Sequence, residues 1–201
     1  MGRRPVVDLF CEDAGHEGFA RALLRRLANE TNLPAPTVNV RAARGGHGRA
    51  ISELGSWQRS LPRGAASCDI LLVFIDGNSV GWAGQHRAVR DAVDQDRFSD
   101  VVIAIPEPHI EAWAAADPDA LRQATGAVPP ATPQRPDRWA YKRWLRDALE
   151  RAGAVVLTDP MEIAADIVPA MDLFRASKQS PSLGRAVDDL RASLQRFAAR
   201  A

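Results

Sequence analysis

The chain has 201 residues, of which 46% are apolar, and its formal net charge is +1. This length suits one hydrophobic core, or one core with a small helical addition, and the apolar share excludes wholesale disorder. No apolar run approaches the roughly 18 residues of a membrane-spanning helix, and the first residues lack the apolar stretch of a secretory signal, so we expect a cytoplasmic protein without a membrane partner.

The first predicted elements are a strand, a helix and a second strand. Residues 6–11 are mainly β-branched and apolar, which is typical of a buried strand. A loop is predicted over residues 12–17, followed by an amphipathic helix that ends near Asn32, because apolar residues recur there at helical spacing. These residues are Phe19, Leu23, Leu24 and Leu27. A short second strand is predicted over residues 37–40.

The next stretch, residues 41–64, is rich in glycine and arginine and contains one acid, Glu53. Its arginines are Arg41, Arg44, Arg49, Arg59 and Arg63. Arginine suits bidentate contacts to phosphate, so we expect this basic stretch to bind nucleic acid; a solvated flexible loop is the alternative. A short helix is predicted over residues 51–61. The glycines beside His47 lack the lysine and hydroxyl of a nucleoside-triphosphate loop.

Residues 69–75 form the clearest predicted strand, since they are apolar on both faces, as in the centre of a parallel sheet. A helix is predicted over residues 85–98, and another buried strand over residues 101–105, where Pro106 stops it. The alternation of strands and helices predicts an α/β fold with a mostly parallel sheet that is covered by helices.

After Pro106 the pattern becomes mainly helical. The predicted elements are helices at 109–116, 118–125 and 141–152, a loop at 126–138, an edge strand at 154–157, and helices from 161 to 201 with a break at Ser180-Pro181. We therefore expect an α/β core over residues 1–125 and a C-terminal helical extension over residues 126–201 that packs on it.

Both cysteines and two of the tryptophans are expected to have a structural role. Cys11 and Cys68 lie in or beside predicted buried strands, without the spacing of a zinc site, and we expect them to be small buried side chains. Trp113 and Trp144 are expected in the core. Trp82 lies in a predicted loop after Asp76, where it could stack on a base or pack over the site.

Three acids follow predicted strands: Glu12, Asp76 and Glu107. Ligands of open α/β sheets bind beyond the carboxyl ends of the strands, and neighbouring strands are only about 4.8 Å apart. Carboxylates that leave adjacent strands could therefore share a hard cation such as Mg²⁺, which prefers oxygen ligands and bridges to phosphate. Strand-end acids are also common as turn residues, so spacing alone leaves both interpretations open.

One histidine lies within the predicted loop that contains Glu12. His16 could transfer protons or contact a phosphate there. The alternative is a residue that is exposed to solvent, which is more often the case for a polar loop histidine.

Several segments together resemble the Toprim pattern, a glutamate after the first strand and Asp-x-Asp after a later one. These are Glu12 at its strand end, Glu17-Gly18-Phe19, and Asp76-Gly77-Asn78. The segments 106–113 (Pro-Glu-Pro-His-Ile-Glu-Ala-Trp) and 116–121 (Ala-Asp-Pro-Asp-Ala-Leu) are similar to a family of uncharacterised bacterial Toprim-like proteins, the DUF4276 type. Lys142–Leu145 and Ser180–Leu183 resemble later helices of that family. The resemblance covers most of the chain.

The resemblance implies a Toprim-like fold that uses Mg²⁺ or Mn²⁺ to act on phosphodiester bonds. Carried over to this chain, it makes Glu12 the acid/base or metal-linked residue and Asp76 a metal ligand, and it makes Glu111 the acid that completes the catalytic set. Asn78 stands where the pattern has its second aspartate. Its carbonyl can still coordinate a metal, but one negative charge is lost, which counts against two-metal chemistry.

We therefore predict a metal-dependent nuclease that acts on nucleic acid, in the prokaryotic defence context that the resemblance implies. The alternative is a catalytically weak Toprim fold that serves as a binding or regulatory subunit of a larger complex, with a partner protein such as an ATPase. A Rossmann-like nucleotide binder has little support, because no GxGxxG motif follows a strand.

Overall fold

The structure is a computed structural model that describes residues 2–44, 49–62, 64, 68–133, 139–153 and 159–200. Three sequence predictions fall outside these residues: the edge strand at 154–157, the side chain of Arg63, and the glycines beside His47. Among the described residues, no helix has the length and apolar character that crossing a membrane requires.

The described residues form four strands and nine α-helices. The strands are β1 (Val6–Cys11), β2 (Thr37–Ala42), β3 (Ile70–Phe74) and β4 (Val101–Ala104). The helices are α1 (Ala14–Glu30), α2 (Ala50–Ser60), α3 (Gly81–Ala92), α4 (Ile110–Ala115), α5 (Pro118–Thr125), α6 (Ala140–Arg151), α7 (Ala164–Ala170), α8 (Leu173–Gln179) and α9 (Pro181–Arg200). Short 3₁₀ helices precede α3, at Asn78–Val80, and α7, at Pro160–Ile163.

The strands form one parallel sheet in the order β2-β1-β3-β4. In its register, Cys11 lies beside Phe74, and Phe74 lies beside Ala104. The predicted α/β fold class is confirmed, because the three long apolar segments are adjacent and parallel and helices cover them. The residues that follow β1, β3 and β4 therefore leave the sheet at the same edge.

The two faces of the sheet are buried in two separate apolar clusters. Alternate strand residues such as Leu9, Leu72 and Phe74 face α1 and the helices after β4. The intervening residues, such as Leu71 and Val73, face α2 and α3. This period of two follows from the pleat of a strand. Burial on both faces explains why β3 and β4 are wholly apolar, whereas β2, at the sheet edge, is more exposed and contains polar residues.

The helices after residue 126 pack into the same core as α1. Helix α7 lies along α1, and α9 contacts both α1 and β4. Trp113 and Trp144 are buried as expected, and the indole N–H of Trp113 donates to the Ser182 hydroxyl of α9 at 2.9 Å. Cys11 and Cys68 are both buried with free thiols, and burial, the largest contribution, raises the pKa of each to about 12.

The start of α1 and both ends of α3 differ from the predictions. Helix α1 begins at Ala14, inside the predicted loop, because the Asp13 carboxylate accepts a hydrogen bond from the His16 backbone N–H at 3.0 Å and caps the helix. Helix α3 spans Gly81–Ala92, so it begins before the predicted residue 85 and ends before the predicted Phe98. Trp82 therefore lies in the first turn of α3, and its predicted place in a loop is wrong. The chain leaves α3 at Val93, and the next backbone N–H, that of Asp94, donates to the Gln58 side chain at 2.8 Å.

Candidate functional site

A compact group of three side chains lies where β1 and β3 end. Glu12 follows β1, Asp76 lies two residues after β3, and His16 comes from the first turn of α1. One potential ligand atom from each lies within 4.8 Å of the others. Because β1 and β3 are neighbours in the sheet, their ends bring the two carboxylates together, and α1 adds the imidazole. This group could hold a metal ion.

Asp76 is a buried acceptor at the centre of the group. Its Oδ1 accepts from the His16 ring at 3.0 Å and from the Ile110 backbone N–H at 2.9 Å, and its Oδ2 lies 3.1 Å from Nδ1 of His109. The carboxylate cannot donate when ionised, so His109 carries the proton on Nδ1. The backbone N–H of Asp76 donates to Oε2 of Glu12 at 3.1 Å, which joins the two strand ends.

His16 bridges two carboxylates. Its Nδ1 lies 2.7 Å from Oδ1 of Asp13, and its Nε2 faces Asp76. Burial alone would lower the pKa of His16, but the hydrogen bonds to Asp13 and Asp76 outweigh it and raise the pKa to about 10. The ring is therefore an imidazolium at neutral pH and donates to both carboxylates. The alternative that His16 is an exposed loop residue is wrong, since only 1% of the residue is accessible.

The two histidines also control the charge of Asp76. Burial alone would raise its pKa, but hydrogen bonds from His109 and His16, together with their positive charge, lower the pKa to about 2. A cluster of unneutralised carboxylates would show the opposite shift. Asp76 is therefore an anion throughout the neutral range, as a metal ligand must be.

Glu111, the third predicted catalytic residue, lies in the first turn of α4 and is buried. Its Oε1 is 3.5 Å from the ammonium nitrogen of Lys142 in α6, whereas its Oε2 is buried without a hydrogen-bond partner. Desolvation, the largest contribution, raises the pKa of Glu111, and the negative charge of Asp76 adds to the rise. Glu111 thus lies beside the three-residue group, within the electrostatic reach of Asp76.

Asn78 and Glu107, the remaining strand-end candidates, are placed differently. Asn78 has a left-handed backbone, with φ of 48°, and its side-chain amide donates to the Asp76 carbonyl at 3.4 Å. Glu107 is exposed, and its Oε1 accepts from the Trp82 backbone N–H at 3.1 Å. Trp82 itself stacks on His86, with 4.7 Å between the ring centroids, and lies under the Arg185 guanidinium.

Comparison of the chain with protein-family models, with curated proteins and with solved structures found no match. The Toprim resemblance therefore stays a prediction. What the site can do chemically follows from the side chains that surround Asp76.

Residues from three of the segments that carry the resemblance, 106–113, 116–121 and 180–183, line one open cleft of about 1030 Å³. Its walls include Glu107, the residues Ala115–Asp119, and Ser180–Ser182. The buried Asp117 accepts from Arg175 at 2.6 Å and from the Asp172 backbone N–H at 2.7 Å, which fixes α5 against α8. These contacts give that part of the pattern a packing role.

The described arginines of the basic stretch are exposed but do not all lie at one end of the sheet. They are Arg41, Arg44, Arg49 and Arg59. Arg41 pairs in register with Phe10 near the end of β1, Arg44 follows β2, and Arg49 precedes α2, so these three lie near the edge that carries Glu12. Arg59 lies in the last turn of α2, about 15 Å further along the helix axis.

Sequence reasoning considered His16 as a proton-transfer or phosphate-contacting residue only against the alternative of an exposed loop residue, and it missed His109 altogether. The pattern Asp13-x-x-His16 is a cap-and-first-turn spacing, which places the histidine inside the helix and toward the strand ends. His109 sits two residues after Glu107 and directly before α4, where the chain turns back over β3. The capping pattern was the available signal for His16.

Proposed function

We propose that the chain is a metal-dependent, Toprim-like nuclease whose metal is bound by Glu12, His16 and Asp76. The observation that carries this proposal is the convergence of those three ligand atoms within 4.8 Å at the carboxyl edge of a parallel sheet. Glu12, His16 and Asp76 would hold a divalent ion there, and the ion would activate a water or stabilise a leaving oxygen in phosphodiester cleavage. Arg41, Arg44 and Arg49 lie near the same edge and supply positive charge for a nucleic-acid backbone.

The donor set favours a particular class of metal. Mg²⁺ prefers oxygen ligands alone, whereas imidazole nitrogen suits first-row transition metals. Asp13 holds Nδ1 of His16, which directs Nε2 toward Asp76 in the arrangement by which a carboxylate orients a metal-bound histidine. His16 would bind the ion through Nε2 only after the proton on that nitrogen leaves to solvent, since a metal ligand must be deprotonated. With that nitrogen as a ligand, we propose Mn²⁺, or a related transition-metal ion, ahead of Mg²⁺.

The chain's own residues have distinct roles in this proposal. Asp76 is the buried anionic ligand, fixed by the Ile110 backbone and by His109. Glu12 is half-buried, so it can contact both the metal and a solvent-accessible substrate, and it is the residue proposed to accept a proton. Asn78 stands where the Toprim pattern has its second aspartate. Without that carboxylate, the remaining acids suffice to bind one metal ion.

A second function is favoured by one specific observation, the imidazolium of His16. This cation already pairs with both Asp13 and Asp76 and offsets part of their negative charge, which a metal ion would otherwise do. A fold whose acids are satisfied internally can bind nucleic acid without cleaving it. The alternative is therefore a binding or regulatory subunit of a larger complex, for which an ATPase partner stays a proposal that the resemblance implies.

A cleavage assay separates the two functions. Supercoiled plasmid, single-stranded DNA and single-stranded RNA are incubated with the protein and Mn²⁺, Mg²⁺ or a chelator. We expect cleavage with Mn²⁺ that Glu12→Gln reduces at least about 100-fold, while the matched strand-end variant Glu107→Gln keeps it. Binding without cleavage supports the regulatory subunit, and the absence of both binding and cleavage overturns both proposals.

A further inference from the structure

Helix α6 brings a cation and an aromatic ring to the side of the candidate metal site. Lys142 is one of two lysines in the chain, and its ammonium nitrogen lies 3.5 Å from the buried Glu111 carboxylate. The ring of Trp139, just before α6, is centred 5.9 Å from the same nitrogen, and the residue is 50% exposed. Neither residue belongs to the proposed metal group.

The Lys142–Glu111 pair leaves capacity for a further anion. The carboxylate is buried, but the lysine side chain is 41% exposed, and an ammonium group has three donors. Glu111 follows Ile110, whose backbone N–H donates to Asp76, so the pair is anchored directly beside the metal group. Burial alone would lower the pKa of Lys142, but the charges of Glu111 and Asp76 raise it, which keeps the side chain cationic.

We propose that Lys142 and Trp139 form a nucleotide subsite, in which the ammonium binds a phosphate oxygen and the indole stacks on the adjoining base. A half-exposed indole offers a π-face that is tolerant of base identity, and stacking of this kind requires an unpaired base. The subsite therefore selects single-stranded nucleic acid. It deepens the proposed function and rests on it, because the phosphate bound by Lys142 lies next to the proposed metal.

The chain contains a matched pair of residues that serves as the control. Lys178 lies over the ring of Phe174 at 4.0 Å in α8, and Phe174 is 72% exposed. This pair has the same combination of an ammonium group and an exposed aromatic ring but belongs to another helix, away from Glu111 and Asp76 in the chain. If exposed lysine–aromatic pairs bound nucleotides in general, both pairs would do so.

Calorimetric titrations with inorganic phosphate and with thymidine 5′-monophosphate, each with and without Mn²⁺, test the proposal. We expect Lys142→Ala to weaken binding of both probes at least about tenfold, and Lys142→Arg to retain most of it. Trp139→Ala should weaken the nucleotide about tenfold and leave phosphate unchanged, with rescue by Trp139→Phe. Lys178→Ala and Phe174→Ala should bind both probes as the wild type does.

The outcomes separate this subsite from the metal site. If the wild type binds Mn²⁺ but Lys142→Ala binds both probes normally, or if the wild type binds neither probe, the subsite is overturned and the metal proposal stands. If Lys142 and Trp139 show the expected effects but no Mn²⁺ binds, the subsite stands and the proposed function falls. Equal losses in the Lys178 and Lys142 variants also overturn the subsite.

Discussion

Nε2 of His16 lies 3.0 Å from Oδ1 of Asp76, and this contact ties the first turn of α1 to the end of β3. Asp13 holds the other ring nitrogen, so an imidazolium is clamped between two carboxylates. The arrangement fixes where Asp76 points and keeps it ionised. It also makes α1, a helix that sequence reasoning treated only as a cover for the sheet, part of the candidate site.

The clamped imidazolium predicts a fall in stability on the alkaline side. The pKa of His16 rises on folding from its ordinary 6.5 to about 10, so its contribution to the free energy of unfolding is complete below about pH 6.5. That contribution is lost as the pH increases toward 10. Denaturant unfolding of the wild type in chelator should show this loss, and His16→Gln should remove most of it.

The same denaturant unfolding at acid pH, where Asp76 titrates, supplies the control. The pKa of Asp76 falls on folding from 3.8 to about 2, so its contribution is present above pH 3.8 and is lost as the pH falls toward 2. A wild-type protein whose stability is constant from pH 6.5 to pH 10 would contradict the clamp.

A pair of glycine substitutions tests the close packing beside the site. A Cβ at Gly15 would lie 2.7 Å from that of Met161, whereas a Cβ at Gly18 would lie 4.0 Å from that of Ala164. Gly15→Ala should destabilise the protein by about 1–3 kcal/mol through overpacking. Gly18→Ala should stabilise it by about 0.5–1 kcal/mol, because it removes a helix glycine without a clash. Equal effects in denaturant unfolding would contradict the packing of α1 on the segment before α7.

Asp76 should be important for stability as well as for metal binding. Asp76→Ala removes the acceptor of the Ile110 backbone N–H and of both histidines, so it should destabilise the fold by about 3–5 kcal/mol. Glu12→Gln preserves the side-chain shape at a half-buried position and should cost less than about 1 kcal/mol. Thermal unfolding in chelator compares the two variants, and a milder effect at Asp76 would show that its contacts are weak.

The basic edge predicts a dependence on salt. Arg44→Ala combined with Arg49→Ala should weaken binding to all nucleic-acid sequences alike, and should reduce the slope of log affinity against log salt by about 1.4–1.8. Arg87→Ala with Arg90→Ala removes the same charge from α3 and serves as the control. Fluorescence anisotropy at several salt concentrations measures the affinity and the slope for both double variants. An unchanged slope in the Arg44 and Arg49 variant would show that this stretch is a solvated surface that does not bind nucleic acid.

Much of the fold follows from local patterns. The segments at β1, β3 and β4 are apolar on both faces because helices bury both sides of the sheet, and this continuous apolar character identified them as adjacent parallel strands. Placing Glu12 and Asp76 at one sheet edge followed directly. Helix boundaries were harder, since the start of α1 depends on one side-chain hydrogen bond from Asp13.

The histidines and Lys142 could not be predicted in the same way. His109 and Lys142 reach the site from α4 and α6, which are distant in sequence, and their positions depend on how those helices pack. The pKa of Asp76 illustrates the consequence. Clustered acids alone predict a raised value, whereas two unforeseen histidine contacts lower it.

Calorimetric titration with Mn²⁺ at neutral pH tests the central claim most directly. The wild type should bind about one ion per chain, Glu12→Gln should lose at least about tenfold in affinity, and Glu107→Gln should bind as the wild type does. Mn²⁺ should also bind more tightly than Mg²⁺ and release a proton on binding, because His16 would contribute Nε2 as a ligand in place of the proton that it carries there. Absence of heat with the wild type, or equal binding by the Glu12 and Glu107 variants, would contradict a metal site formed by Glu12, His16 and Asp76.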